Sequence, residues 1–180
     1  MTAQRKMKHV VTLRKLKKTD QAYLVRHLND AKVTQYLSAR IPQPYTQQDA
    51  SWWLEIGCEQ NAINRAIEID GQFCGVIGAY LPESNLLSTA AEIGYWVGHE
   101  FWGMGVATQA VMLFTTLIFN DSDVVELINP VSSPNKASIR VMEKAGFKLK
   151  LVSEKTAKHQ QRLFDEHVYV LNRPAALGAV

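Results

Sequence analysis

Between Ala90 and Val131 the chain reads strand, glycine turn, long helix, strand, and that order constrains the fold more than any other feature. A strand that crosses over through a helix into another strand of the same sheet normally ends as its parallel neighbour. Here Ala90–Val97 has the pattern of a strand, Gly103–Phe119 of a long helix, and Val124–Val131 of a second strand, stopped by Pro130 and Pro134. Upstream, Val10–Leu16 alternates as a first strand, and Thr19 or Asp20 is placed to cap a helix through about Leu28. A short helix over Ala31–Leu37 follows, then a loop over Ile41–Pro44, then a helix capped by Thr46 and running to about Glu59. Ala66–Ile69 and Phe73–Leu81 flank Asp70-Gly71, a strong hairpin signal, and Pro82 breaks the second of them. Downstream, Asn135–Ala145 is a helix, and Phe147–Glu154 and His167–Leu171 are strands. The expected fold is α/β (α+β): a mixed, mostly antiparallel central sheet of about seven strands, flanked by helices, with a parallel fourth and fifth strand. A single domain over 1–173 and a loosely held tail over 174–180 are expected.

The turn inside the crossover carries chemistry. Trp102-Gly103-Met104-Gly105-Val106-Ala107-Thr108 places two glycines where a strand hands over to a long helix. The first turn of a helix presents unpaired N–H groups and the positive end of the dipole. Glycine there lets the backbone approach a ligand without a Cβ in the way. Such a site suits a phosphate or pyrophosphate. No Gly-Lys-Ser/Thr follows, so this is not a Walker loop. The third glycine of a dinucleotide fingerprint is missing, and the preceding strands read as hairpins.

A second motif lies one strand further on: Asn135-Lys-Ala-Ser138, then Met142, then Lys144-Ala-Gly146-Phe147. With Gly94-Tyr95-Trp96 and the segment Trp102–Thr108, it resembles the GNAT superfamily of N-acetyltransferases. The resemblance is closer to the branch of ribosomal-protein-alanine N-acetyltransferases (RimJ/RimL-like) and covers roughly residues 10–172. It implies acetyl-CoA as cosubstrate, with no metal. It also implies that the fourth and fifth strands splay and that the pantetheine arm lies between them, paired with backbone near Trp96 and Val97. The N–H groups of Gly103, Met104, Gly105, Val106, Ala107 and Thr108 would hold the pyrophosphate, with Trp102 at the head of the loop. Asn135 and Ser138 would lie beside the pantetheine and its sulfur.

Acetyl transfer to an amine needs a neutral amine, an oxyanion site and a route for protonating the leaving thiolate. Glu92 is the candidate base, in phase with Gly94 and Trp96 on one face of the strand; pairing with a cation or ordering a loop is the alternative role. Many relatives carry Tyr seven residues after the Asn, where this chain has Met142. Ser138 is the remaining candidate to hydrogen-bond the departing sulfur, with helix capping or packing as its alternative. Glu100 stands where the superfamily often has Gln or Arg. The resemblance identifies the donor and leaves the acceptor open: a protein N-terminal α-amine of the ribosomal-protein type comes first, then a polyamine, an aminoglycoside or an amino acid. A non-catalytic acyl-CoA-binding module is the other reading.

Charge and composition narrow the partners. Residues 1–18 hold seven Lys or Arg (Arg5, Lys6, Lys8, Arg14, Lys15, Lys17, Lys18) and no acid, which leaves 13 basic against 17 acidic residues elsewhere. A basic edge can attract RNA, but a solvated strand edge is the expected role, with no direct nucleic-acid binding. Pairing of two copies is a further expectation for a fold with exposed edges. Cys58 and Cys74 are too few for a disulfide framework. His9, His27, His99, His159 and His167 show no metal-ligand spacing. No signal-peptide core is present, and Ala110–Phe119, the longest apolar stretch, is far below the ~18–20 residues needed to span a bilayer. A cytoplasmic location is therefore expected.

Overall fold

In the computed structural model, which describes residues 9–81, 89–159 and 162–175, the strands are β1 (Val11–Arg14), β2 (Ala62–Ile69), β3 (Gln72–Tyr80), β4 (Ala90–Val97), β5 (Glu126–Ser132), β6 (Lys148–His159) and β7 (Arg162–Asn172). They form one sheet in the order β1-β2-β3-β4-β5-β7-β6. Every neighbouring pair is antiparallel except β4 and β5, which are parallel. The helices are α1 (Gln21–Leu28), α2 (Ala31–Thr34), α3 (Gln47–Glu55), α4 (Val106–Asp121) and α5 (Lys136–Lys144). The fold class read from the crossover is the one observed.

Each face of the sheet has its own core. One face packs Ile67, Ile77, Ile93 and Leu127 against Phe114 and Ile118 of α4 and Met142 of α5. The other packs Ala66, Phe73 and Val76 against Leu24 and Leu28 of α1 and Ala50 of α3, with Trp96 alongside. Alternation along β4 sends Ile93 and Val97 to the first core and Trp96 toward the second. Among the described residues, no helix is long and apolar enough to cross a membrane.

Several boundaries differ from the sequence expectation for physical reasons. The helix expected to reach Glu59 stops at Glu55 and gives way to a 3-10 turn over Gly57–Glu59. A Cβ at Gly57 would lie 2.8 Å from the Trp52 ring and 2.9 Å from that of Trp53, so the chain folds back onto the two indoles only because this residue has none. Helix α2 ends at Thr34 rather than Leu37, and β1 is shorter at both ends than expected. The last two strands are much longer than their apolar runs. Ser153-Glu-Lys155 and Phe164-Asp-Glu166 show no period-2 pattern, yet they belong to one hairpin across a register shift. Lys155 takes φ 51°, and its N–H donates to Asp165 at 3.1 Å.

Asp20 does not cap α1 as expected. Its carboxylate accepts both terminal nitrogens of Arg14 at 2.8 Å and the Lys17 N–H at 2.8 Å. Arg14 also donates to Glu68 at 2.6 Å, and these partners hold its guanidinium pKa well above the usual value. One of the seven N-terminal cations is thus a structural bridge between β1, β2 and the start of α1. Arg5, Lys6 and Lys8 lie outside the described residues, as do Pro82 and 176–180 of the tail. Asp20 is only 2% exposed, and its loss strips Arg14 of two charged hydrogen bonds and the Lys17 N–H of its acceptor, leaving Glu68 as the carboxylate still paired with Arg14. Asp20→Ala is expected to lower unfolding free energy by about 3 kcal/mol, read as a lower urea midpoint at unchanged slope.

Candidate active site

The site begins where β4 and β5 part. They pair only at Ala90↔Glu126, Ala91↔Leu127 and Glu92↔Ile128. Beyond Glu92, β4 stays paired with β3 as far as Val97, while β5 stays paired with β7 as far as Ser132. The gap is bridged at its narrow end by Asn129, 4% exposed, whose side-chain amide donates to the Ile93 carbonyl at 2.8 Å. That amide replaces the strand-to-strand bond which would otherwise close the gap. Its trace in the sequence is slight: a lone Asn at an inward position of an apolar strand.

Which backbone groups face the gap follows from the ladder. Gly98 N–H donates to the Cys74 carbonyl at 2.7 Å across the β3–β4 register. Hydrogen-bonded pairs alternate in an antiparallel ladder. The main chain of Trp96 is therefore turned to β3, and those of Tyr95 and Val97 to the gap. The Val97 carbonyl is taken by the Trp102 indole N–H at 2.7 Å, which leaves the Val97 N–H as that residue's group toward the gap. Close β3–β4 approach is demanded here: a Cβ on Gly75 would sit 2.2 Å from the Trp96 carbonyl oxygen.

The glycine turn lies beyond the end of β4. Gly103 and Gly105 both take φ 77°, the left-handed region. Nothing approaches within 4 Å of a Cβ built on Gly103, so the glycine is required by conformation rather than crowding. Helix α4 starts at Val106 with no side-chain cap on its first turn. Val106 is buried against the core, which anchors that turn. Ala107 and Thr108 follow it half-buried, and Met104 is exposed at the tip. An uncapped first turn, 16 residues of helix behind it and two left-handed glycines in open space fit a pyrophosphate. Trp102 is half-exposed, its ring edge-on to His99 at 4.9 Å.

Across the gap, Asn135 caps α5: its side-chain oxygen accepts the Ser138 N–H at 3.1 Å. The Ser138 hydroxyl lies 2.9 Å from the Tyr95 hydroxyl. In the sequence Tyr95 stands out only as the middle of Gly94-Tyr95-Trp96, and the fold makes it a neighbour of Ser138. Burial pushes its pKa up to about 12, with the Ser138 bond opposing. Met142 is fully buried in the core, so no hydroxyl stands at that position on α5.

Glu92 occupies the last paired position before the splay and belongs to the opposite face from Tyr95 and Ser138. Its side chain reaches solvent, yet desolvation raises its pKa; Glu166 on β7 adds to the rise and Arg40, in the segment between α2 and α3, opposes it. No motif marks Glu166 or the charge of Arg40 in the sequence. The arrangement is a gap with a carboxylate on one side and paired hydroxyls and an uncapped helix start on the other. The thiols take no part: Cys58 and Cys74 are buried, and burial pushes Cys74 to about 12. Among the described residues, no group of three His, Cys, Asp or Glu side chains could hold a metal ion.

Comparison with known proteins agrees with this geometry. The sequence profile of the acetyltransferase (GNAT) domain matches residues 11–148. The provisionally named ribosomal N-acetyltransferase YdaF of Bacillus subtilis (strain 168) is 30% identical over 95 residues, which is 53% of this chain and about half, 51%, of that protein. Spermidine N(1)-acetyltransferase of Escherichia coli (strain K12) is 27% identical over 139 residues, 77% of this chain and 73% of that one. Among solved structures, RimL, the ribosomal L7/L12 α-N-protein acetyltransferase in complex with coenzyme A, superposes with a TM-score of 0.79 at 21% identity, covering 90% of this chain and 93% of that chain. Spermidine N-acetyltransferase from Vibrio cholerae, in complex with CoA and spermine, gives 0.76 at 16% identity, covering 90% and 95%. At these identities the superpositions speak for the fold. With the family profile spanning more than half of the chain and the splayed strands, glycine turn and capped Asn-x-x-Ser helix in place, the protein belongs to the GNAT family and is an N-acetyltransferase.

Proposed function

We propose that the protein transfers the acetyl group of acetyl-CoA to a protein N-terminal α-amine. The observation that carries this reading is Glu92: a carboxylate at the mouth of the splay, its pKa raised above the ordinary carboxylate range by desolvation and by Glu166. A peptide α-amine has a pKa of about 7.7–8.0, so roughly 10–15% is already neutral at pH 7, whereas a lysine near 10.4 is only about 0.04% neutral. A weak base suffices for the first acceptor and not for the second. The likeness to YdaF supports the same class.

In this reading the first turn of α4 binds the pyrophosphate through its N–H groups, and Tyr95 and Val97 pair their backbone with the pantetheine. The amine enters from the Glu92 face. Its nitrogen attacks the thioester carbonyl carbon, a C–N bond forms, and negative charge builds on the carbonyl oxygen. The Val97 N–H stabilises that charge; losing one such donor in other enzymes costs about 3–4 kcal/mol. Glu92 accepts the ammonium proton, directly or through water. The C–S bond breaks, and the thiolate leaves toward the Ser138 hydroxyl.

A second reading is favoured by one observation. Glu92 and Glu166 interact as like charges, and two carboxylates near one face suit a dication such as a polyamine. Calorimetric titration with acetyl-CoA, followed by thiol release on two panels, separates them. Micromolar binding is expected, with turnover on peptides starting with Ala or Ser. Turnover on small amines alone would transfer the assignment to the second reading. Binding without turnover on either panel would overturn both.

A further inference from the structure

We infer that Tyr95 is a positioning residue for the leaving thiolate, acting through Ser138: its hydroxyl donates to the Ser138 oxygen and so turns the serine proton into the gap. The inference rests on the acetyl-CoA reading above but not on the identity of the acceptor.

Counting protons gives the direction of the bond. A desolvated tyrosine hydroxyl must donate its one proton to something. Among the described residues the acceptor within reach is the Ser138 oxygen, at 2.9 Å. With its pKa pushed up to about 12, Tyr95 holds that proton across the neutral range. The serine oxygen then receives one hydrogen bond and keeps its own proton free for another acceptor. The serine N–H is already committed to Asn135 at 3.1 Å, so the hydroxyl is the polar group of Ser138 left to offer. With Tyr95 as donor, that offer is directed away from the tyrosine oxygen. Its side chain shares a face with Ile93 and Val97, on the splayed stretch of β4 whose backbone faces the gap. Were the tyrosine absent, the serine hydroxyl would lose its fixed donor and rotate among local acceptors.

No bond to Tyr95 is made or broken in the reaction. As the C–S bond breaks, the electron pair stays on sulfur, and the Ser138 O–H hydrogen-bonds the thiolate. Neither Ser138 nor Tyr95 surrenders its proton; the thiolate takes one from solvent after release.

The test reads the thiolate directly and needs no acceptor. CoA is bound to wild type, Tyr95→Phe, Ser138→Ala and the double variant, and the ionisation of the bound thiol is followed by thiolate absorbance against pH. In wild type the bound thiol is expected to ionise at lower pH than free CoA. Tyr95→Phe is expected to reduce its ionisation constant about tenfold with CoA affinity changed less than about threefold, and the double variant to match Ser138→Ala. That coincidence is something a merely structural tyrosine would not produce. Wild-type and Tyr95→Phe proteins titrating alike, or the two single effects adding in the double variant, would overturn the inference while leaving the acetyl-CoA reading intact. Failure of wild type to bind CoA would overturn both. Should Tyr95→Phe fold poorly, Tyr95→Leu takes its place with the same two outcomes, and an unchanged titration in Ser138→Ala overturns the inference in either case.

Discussion

Gly105→Val is expected to weaken acetyl-CoA binding by at least about 100-fold, roughly 2.7 kcal/mol, while the protein stays folded. Gly105 stands at φ 77° immediately before the first residue of α4. A β-branched residue there costs about 1–3 kcal/mol in the left-handed region. The loop relieves that strain by leaving the conformation, which re-aims the N–H groups of the first helical turn. Those groups have no side-chain cap, so in the proposed reading their alignment is what holds the pyrophosphate. Gly105→Ala keeps less strain and should lose about tenfold. The loop is exposed and packs little, so a thermal midpoint within about 4 °C of wild type is expected. Calorimetric titration with acetyl-CoA measures the effect, and an unchanged affinity would show that the pyrophosphate is held elsewhere.

Glu92→Gln is expected to reduce kcat by about 100-fold with acetyl-CoA affinity unchanged, because the residue lies across the sheet from Tyr95 and Ser138. The pH dependence follows from the direction of its shift. A base must be ionised, so wild-type activity falls as pH drops through the raised pKa of Glu92, and the variant lacks that limb. Stability moves the other way. A carboxyl with a raised folded-state pKa binds its proton more tightly when folded. Its ionisation therefore opposes folding as pH rises between the unfolded and folded values. Replacing it by the neutral isostere removes that opposition, so the urea midpoint at neutral pH should equal or exceed that of wild type. A variant with full kcat would remove Glu92 from the mechanism, and one with a much lower midpoint would make it a structural residue.

Both predictions concern residues legible in the sequence, because each is announced by its neighbours along the chain. The glycines stand between a strand and a helix, and Glu92 is in phase with Gly94 and Trp96. Tyr95 shows the opposite case. It is visible as part of Gly94-Tyr95-Trp96, but its role depends on a hydroxyl 43 residues away. Asn129 bonds a carbonyl 36 residues away. Asp20 has the local signature of a cap because it precedes a helix, while its partner is an arginine on a strand. The charged stretches of β6 and β7 have no local signature of a strand, since hairpin pairing rather than apolar alternation makes them strands.

The order of elements, the parallel crossover, the glycine turn before α4 and the family were all legible along the chain, because these depend on periodicity, on residues with restricted or unusual φ, and on motifs of fixed spacing. How far β4 and β5 stay paired before they part, which backbone groups face the gap, what Asp20 pairs with, which charges surround Glu92, and the meeting of Tyr95 with Ser138 are settled only in the folded chain. Each of these is a contact between groups distant in sequence, set by the register of strands and the seating of α5. Local patterns carry no record of such distances, since the side chain that completes a hydrogen bond is chosen by the fold and not by the residues beside it.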